Sequence, residues 1–123
     1  MKKNKIFIIE DDRSLVKIIT AALDPEKFEV SLALPSPRTL KRIGNLKPNL
    51  IVLDILLPNQ SGFEFLAKLK NYKPTKAIPV LILSNLGQTA EIKRALGMGA
   101  VGYLVKADFG LREIVNKIIK TMK

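Results

Sequence analysis

The sequence predicts an α/β fold built on a parallel sheet, and three observations predict it. Four short runs, IFII (6–9), LIVL (50–53), VLIL (80–83) and YLV (103–105), are rich in Ile and Val and do not alternate with polar residues. Strands covered on both faces by helices read this way. The segments between the runs repeat their apolar residues at helical spacing. The polar residues that could carry chemistry follow directly on the runs: Glu10, Asp11 and Asp12 after the first, then Asp54, Ser84 with Asn85, and Lys106.

The elements follow in order. IFII is the first strand. Leu15, Ile18, Ile19, Ala22 and Leu23 form the stripe of a first helix. FEVSLAL (28–34) alternates, which suits a strand at a sheet edge. SPRTLKRIG (36–44) and SGFEFLAKLKNY (61–72) are helices with Ser near their starts, where its hydroxyl can accept from an unpaired backbone N–H. TAEIKRALGMG (89–99) is the weakest helix: its stripe is Ile92, Ala95 and Leu96, and Gly97 and Gly99 end it. Leu111, Ile114, Val115, Ile118, Ile119 and Met122 give the last helix a long stripe, with Asp108 a candidate cap. The order βαβαβαβαβα specifies an α/β protein with parallel strands.

At 123 residues and 47% apolar content, one domain with a filled core is expected. The apolar runs are too short to cross a membrane. The start MKKNKIFIIEDD lacks the long apolar region of a signal peptide and is read as the first strand. The chain has no Cys and no His, which excludes disulfides, thiol nucleophiles, Cys/His zinc sites and imidazole catalysis. A cytoplasmic location is expected. Twenty-one Lys and Arg stand against eleven Asp and Glu, a net charge of +10. The bases are spread along the sequence, so they are read as a solvated surface with a leaning toward acidic protein partners, and nucleic acid is not expected as a partner.

In open parallel sheets ligands bind outside the carboxyl ends of the strands. Carboxylates gathered there repel one another: two at about 5 Å with an effective dielectric of about 20 cost about 3 kcal/mol. Protonation at a raised pKa relieves this. So does a hard divalent cation, which prefers oxygen ligands and keeps some water. The cation accounts for more of the pattern. A metal held by carboxylates can bridge to a phosphoryl group whose remaining oxygens are bound by a lysine and a hydroxyl. Asp54 is then free to attack phosphorus and form an aspartyl phosphate.

The segments IIEDD (8–12), LIVLDILLPNQSGFEFL (50–66), LILSN (81–85) and GYLVK (102–106) resemble the receiver domains of two-component response regulators. The likeness runs from the first strand to the last helix. It includes the spacing: Asp11 stands 43 residues before Asp54, Ser84 30 after it, and Lys106 22 further on. The resemblance implies one flavodoxin-like (βα)5 domain over residues 1–123, with strand order 2-1-3-4-5, helices on both faces and no output domain in this chain. It also implies the roles. Glu10 and Asp11 are the metal-binding acidic pair, Asp54 is phospho-acceptor and ligand, and the backbone carbonyl of Leu56 is a further ligand, for Mg²⁺ or Mn²⁺. Ser84 is the switch hydroxyl, Tyr103 the switch aromatic, and Lys106 the phosphoryl-binding lysine. Pro58 and Gly62 match the turn after the acceptor. Asp12 is either a second ligand beside Asp11 or a cap of the first helix, and the cap is favoured.

The function so implied is signalling. A histidine kinase, or a phosphotransfer protein, donates its phosphohistidine phosphoryl group to Asp54. The surface of the fourth helix, fifth strand and fifth helix then changes toward a downstream protein target or a second copy of the chain. Such a domain assists its own phosphorylation and dephosphorylation and is not a turnover enzyme. The alternatives are a degenerate receiver that works as a phosphorylation-independent interaction module, and a basic nucleic-acid-associated module. A hydrolase of the haloacid dehalogenase kind would need an acid where Leu56 stands, and a flavodoxin would not carry acids in its phosphate loop. Two residues depart from the family pattern. Asn85 replaces a small residue and should narrow access to Asp54, changing the lifetime of the phosphoryl group. Ala107 replaces a proline, so the Lys106–Ala107 bond is expected trans, because cis costs about 3–4 kcal/mol before a residue other than proline.

Overall fold

The computed structural model describes residues 2–58 and 60–122. The elements alternate as β1 (Asn4–Ile9), α1 (Arg13–Ala22), β2 (Phe28–Ala33), α2 (Pro37–Leu46), β3 (Leu50–Leu53), α3 (Gly62–Asn71), β4 (Val80–Ser84), α4 (Thr89–Gly97), β5 (Gly102–Val105) and α5 (Leu111–Thr121). One turn of 3-10 helix, Lys106–Asp108, joins β5 to α5. All strand pairs are parallel, in the order β2-β1-β3-β4-β5. This is the flavodoxin-like order that the resemblance implied, with the alternating strand β2 at an edge.

The non-alternating runs are explained by burial on both faces. Phe7, Ile9, Ile51, Leu53 and Ile82 meet α2, α3 and α4, whereas Ile6, Ile8, Leu50, Val52, Leu81 and Leu83 meet α1 and α5. Each such side chain contributes roughly 1.5–3 kcal/mol by leaving water. Ser36 Oγ accepts from Thr39 N at 3.0 Å and Ser61 Oγ from Phe63 N at 3.2 Å, so both serines cap as expected.

Three local expectations are corrected. In α1 the inward row is Val16, Ile19 and Leu23; Ile18 is 44% exposed and Ala22 is exposed too. The helix meets β1 and α5 along a narrow strip, so only the i, i+3, i+7 row is covered. Leu111, at the start of the α5 stripe, is likewise exposed. Asp108 does not cap α5. It closes the 3-10 turn, and the helix starts at Gly110, whose N–H donates to Glu113 Oε1 at 3.3 Å.

The register sets the functional edge. Ile9 pairs with Leu53, so Glu10 and Asp54 leave the sheet side by side, and Asp54 N donates to Ile9 O at 3.0 Å. Ser84 pairs with Val105, which puts Lys106 one residue beyond the serine on the neighbouring strand.

Candidate functional site

Glu10, Asp11 and Asp54 each offer a carboxylate oxygen, and these oxygens lie within 4.8 Å of one another. Glu10 and Asp54 are only 5% and 4% exposed, whereas Asp11 faces solvent. Lys106 answers both buried acids: its Nζ is 2.7 Å from Glu10 Oε2 and 3.1 Å from Asp54 Oδ2. The second oxygen of Glu10 accepts from the N–H groups of Asp11 and Asp12, at 3.2 and 3.1 Å. Asp54 Oδ1 accepts from Leu56 N at 3.0 Å. Burial, helped by the charge of Asp54, pushes the Glu10 carboxyl up to about 7 in spite of the lysine. Burial pulls the Lys106 ammonium down, but its hydrogen bonds to Glu10 and Asp54 outweigh that and leave its pKa raised. The edge thus holds more negative charge than one lysine neutralises.

That imbalance is the test of a metal. The donors are hard oxygens, two buried and one open to water, which suits a divalent cation that keeps part of its hydration. Asp12 is not in the cluster; its Oδ1 accepts from Leu15 N at 3.1 Å and caps α1.

Ser84 is fully buried at the end of β4. Its Oγ accepts from Leu86 N at 3.3 Å, and the Tyr103 hydroxyl donates to the Leu86 carbonyl. Serine and tyrosine are therefore joined through one residue of the β4–α4 loop. Burial raises the pKa of Tyr103, so it remains a donor. Asn85 is exposed beside Ser84. Leu56 is 52% exposed on the loop after Asp54, and Pro58 is exposed beyond it. Gly62 has a steric reason: a Cβ there would stand 2.3 Å from the Asp54 carbonyl oxygen and 2.5 Å from Ile55 Cα. Its N–H closes the loop on Ile55 O at 2.9 Å. The Lys106–Ala107 bond is trans, as no peptide bond among the described residues is cis.

The sequence brought Glu10, Asp11, Asp54, Ser84 and Lys106 to this edge, and the structure has them there. It missed Leu86, whose backbone links the serine to the tyrosine. A main-chain partner leaves no mark on the residue type. Gly87, where a Cβ would meet both Val105 methyls at 3.0 Å, is the one legible sign that this loop lies close on β5.

A family model described as the response regulator receiver domain matches residues 6–119. The chain belongs to this family and is a receiver domain of a two-component response regulator. It is 32% identical over 114 residues to the phosphate regulon transcriptional regulatory protein PhoB of Rhizobium meliloti, covering 93% of this chain and 50% of that protein. It spans only about half, or less, of the length of the curated relatives it matches. Among solved structures it resembles the BeF3-activated N-terminal receiver domain of Klebsiella pneumoniae RstA, with a TM-score of 0.81 and 26% identity over 98% of this chain and 99% of that one. The phosphorylated cyanobacterial phytochrome response regulator RcpA superposes with a TM-score of 0.77 and 25% identity, covering 98% of this chain and 91% of that one.

Proposed function

We propose that this domain accepts a phosphoryl group on Asp54 and signals through the surface of α4, β5 and α5. The observation that carries the reading is the buried pair Glu10–Asp54 bridged by the Lys106 ammonium, with Asp11 open to solvent beside it. An Asp54 carboxylate oxygen attacks phosphorus, and the phosphorus–nitrogen bond of the donor phosphohistidine breaks. The imidazole leaves with a proton and Asp54 becomes an acyl phosphate. Lys106 moves its hydrogen bonds to a phosphoryl oxygen. Ser84 turns its hydroxyl to another, releasing the Leu86 N–H and with it the carbonyl that Tyr103 holds. Glu10, Asp11, Asp54 and the Leu56 carbonyl would hold Mg²⁺, with Mn²⁺ a substitute. The ion supplies charge neutralisation of the phosphoryl oxygens. The acceptor serves once per cycle, so the domain is not a turnover enzyme, although the same residues assist dephosphorylation.

The relatives support this reading, since RstA is described as BeF3-activated and RcpA as phosphorylated. The donor is then a histidine kinase or phosphotransfer protein, which suits a cytoplasmic domain. The α4–β5–α5 side exposes Leu96, Val101 and Leu111, apolar area suited to a downstream protein or a second copy of the chain. Asn85, exposed at the mouth, narrows access to Asp54 and sets the lifetime of the phosphoryl group.

The test is incubation with Mg²⁺ and acetyl phosphate or phosphoramidate, followed by intact mass. One phosphoryl group, labile to hydroxylamine, is expected on the wild type and none on Asp54→Asn. A wild-type protein that stays unmodified at millimolar Mg²⁺ sinks the proposal.

A further inference from the structure

The sequence spreads its bases, but the fold gathers them. Residues 30–53 carry four Lys or Arg and no acid, and residues 65–90 carry four more and no acid. The helices that these stretches include, α2 and the part of α3 that follows Glu64 in its first turn, cover the same face of the sheet. They are also joined at one end. Lys47 Nζ lies 3.4 Å from the Pro74 carbonyl, and a Cβ on Gly44 would stand 3.0 Å from Pro74 Cβ and 3.1 Å from Tyr72 Cε2. Arg38, Lys41, Arg42 and Lys47 of α2 and its cap therefore share one exposed surface with Lys73 and Lys76 of the α3–β4 turn. Among the described residues the only ion pairs are those of Lys106, so none of these six is matched by a carboxylate. The chain around α1 and α5 instead interleaves its bases with Asp12, Asp24, Glu26, Asp108 and Glu113.

Helix stability does not account for this surface. The first turn of α2 has no acid and contains Arg38, a cation at the positive end of the helix dipole, where it is unfavourable. Lys47 caps the helix with φ 51°, a left-handed conformation that is unfavourable for a side-chain-bearing residue and that glycine adopts freely. The charge of Arg38 and the backbone conformation of Lys47 are thus both held against local preference.

We propose that this α2–α3 face binds the phosphate backbone of duplex nucleic acid, independently of the chemistry at Asp54. What the face lacks selects the partner. None of the exposed large apolar side chains lies on α2 or in the α3–β4 turn. A protein interface needs a desolvated apolar centre, and a membrane-surface helix needs apolar side chains to insert. Half-buried Tyr72 is the one aromatic between residues 66 and 102, so single-stranded bases have no stacking platform. Uncompensated charge remains, and that is what phosphates recognise without reading sequence.

The unphosphorylated full chain is titrated into a short fluorescein-labelled duplex of arbitrary sequence, and anisotropy is followed over a salt series. Binding is expected at low salt. About five phosphate contacts give a slope of log K against log salt near −4 to −5. Lys41→Glu/Lys73→Glu should weaken binding by about tenfold or more and flatten the slope by about two contacts' worth. Lys17→Glu/Lys120→Glu, with the same change in net charge on α1 and α5, should change it less than about threefold. Arg38→Glu/Lys76→Glu replaces the first pair if that pair does not fold. Arg42 is left intact because its guanidinium covers the buried Phe7 ring at 5.2 Å. No binding at low salt, an equal loss in the α1–α5 pair, or competition by poly-glutamate as strong as by unlabelled duplex at equal charge each overturns the proposal, the last by assigning the face to an acidic protein.

Discussion

Glu10 shows how a single side chain can be tuned by its surroundings against its usual chemistry. It sits 2.7 Å from an ammonium, yet burial pushes its pKa up from 4.5 to about 7. The folded chain therefore binds more protons than the unfolded chain between those two values. Stability that is complete below pH 4.5 falls as pH rises toward about 7, by at most about 3 kcal/mol. Chemical denaturation of the metal-free protein across that window should show the decline, and Glu10→Gln, which keeps the shape without the charge, should flatten it. A Glu10→Gln curve as steep as the wild type's would assign the slope to other groups. Which acids and which lysine converge was legible in the sequence, because each follows a strand and the strands are parallel. That Lys106 would approach Glu10 more closely than Asp54 was not legible, because side-chain reach at the end of β5 is decided by packing.

Among the α-helices, α4 is the one held least. It buries only Ala95, it opens at Gln88 without a side-chain cap, and its end passes through Gly99 at φ 104°. The adjoining loop carries the link from Ser84 through Leu86 to Tyr103. A helix with so little buried area is cheap to shift. On phosphorylation, amide exchange should change more in residues 84–105 than in residues 13–50, and a uniform response would argue against α4 as the moving part. The sequence showed this weakness plainly, since Ile92, Ala95 and Leu96 make only a short stripe before Gly97. It failed at α1, where five apolar positions fitted the helical period equally well. Periodicity identifies a helix, but the choice between the rows through Val16 and Ile18 belongs to the neighbours β1 and α5.

For the whole molecule, the core and the site are separate in energy. Two apolar clusters, one on each face of the sheet, hold the chain without using any residue of the acidic edge. A chelator should therefore abolish phosphorylation while leaving the melting transition cooperative and the far-ultraviolet spectrum unchanged. A chain that unfolds in chelator would contradict this. In the opposite direction the site depends on the entire chain, since its members stand at residues 10, 11, 54, 84 and 106. A ribosome builds these positions one after another. When the residues of β4 have emerged, Glu10 and Asp54 can already lie side by side, but their shared cation comes with the 3-10 turn after the last strand. A nascent chain carries Asp54 for 52 residues before Lys106 is made, so the buried acidic pair waits for its counter-charge until the last strand of the sheet has been synthesised.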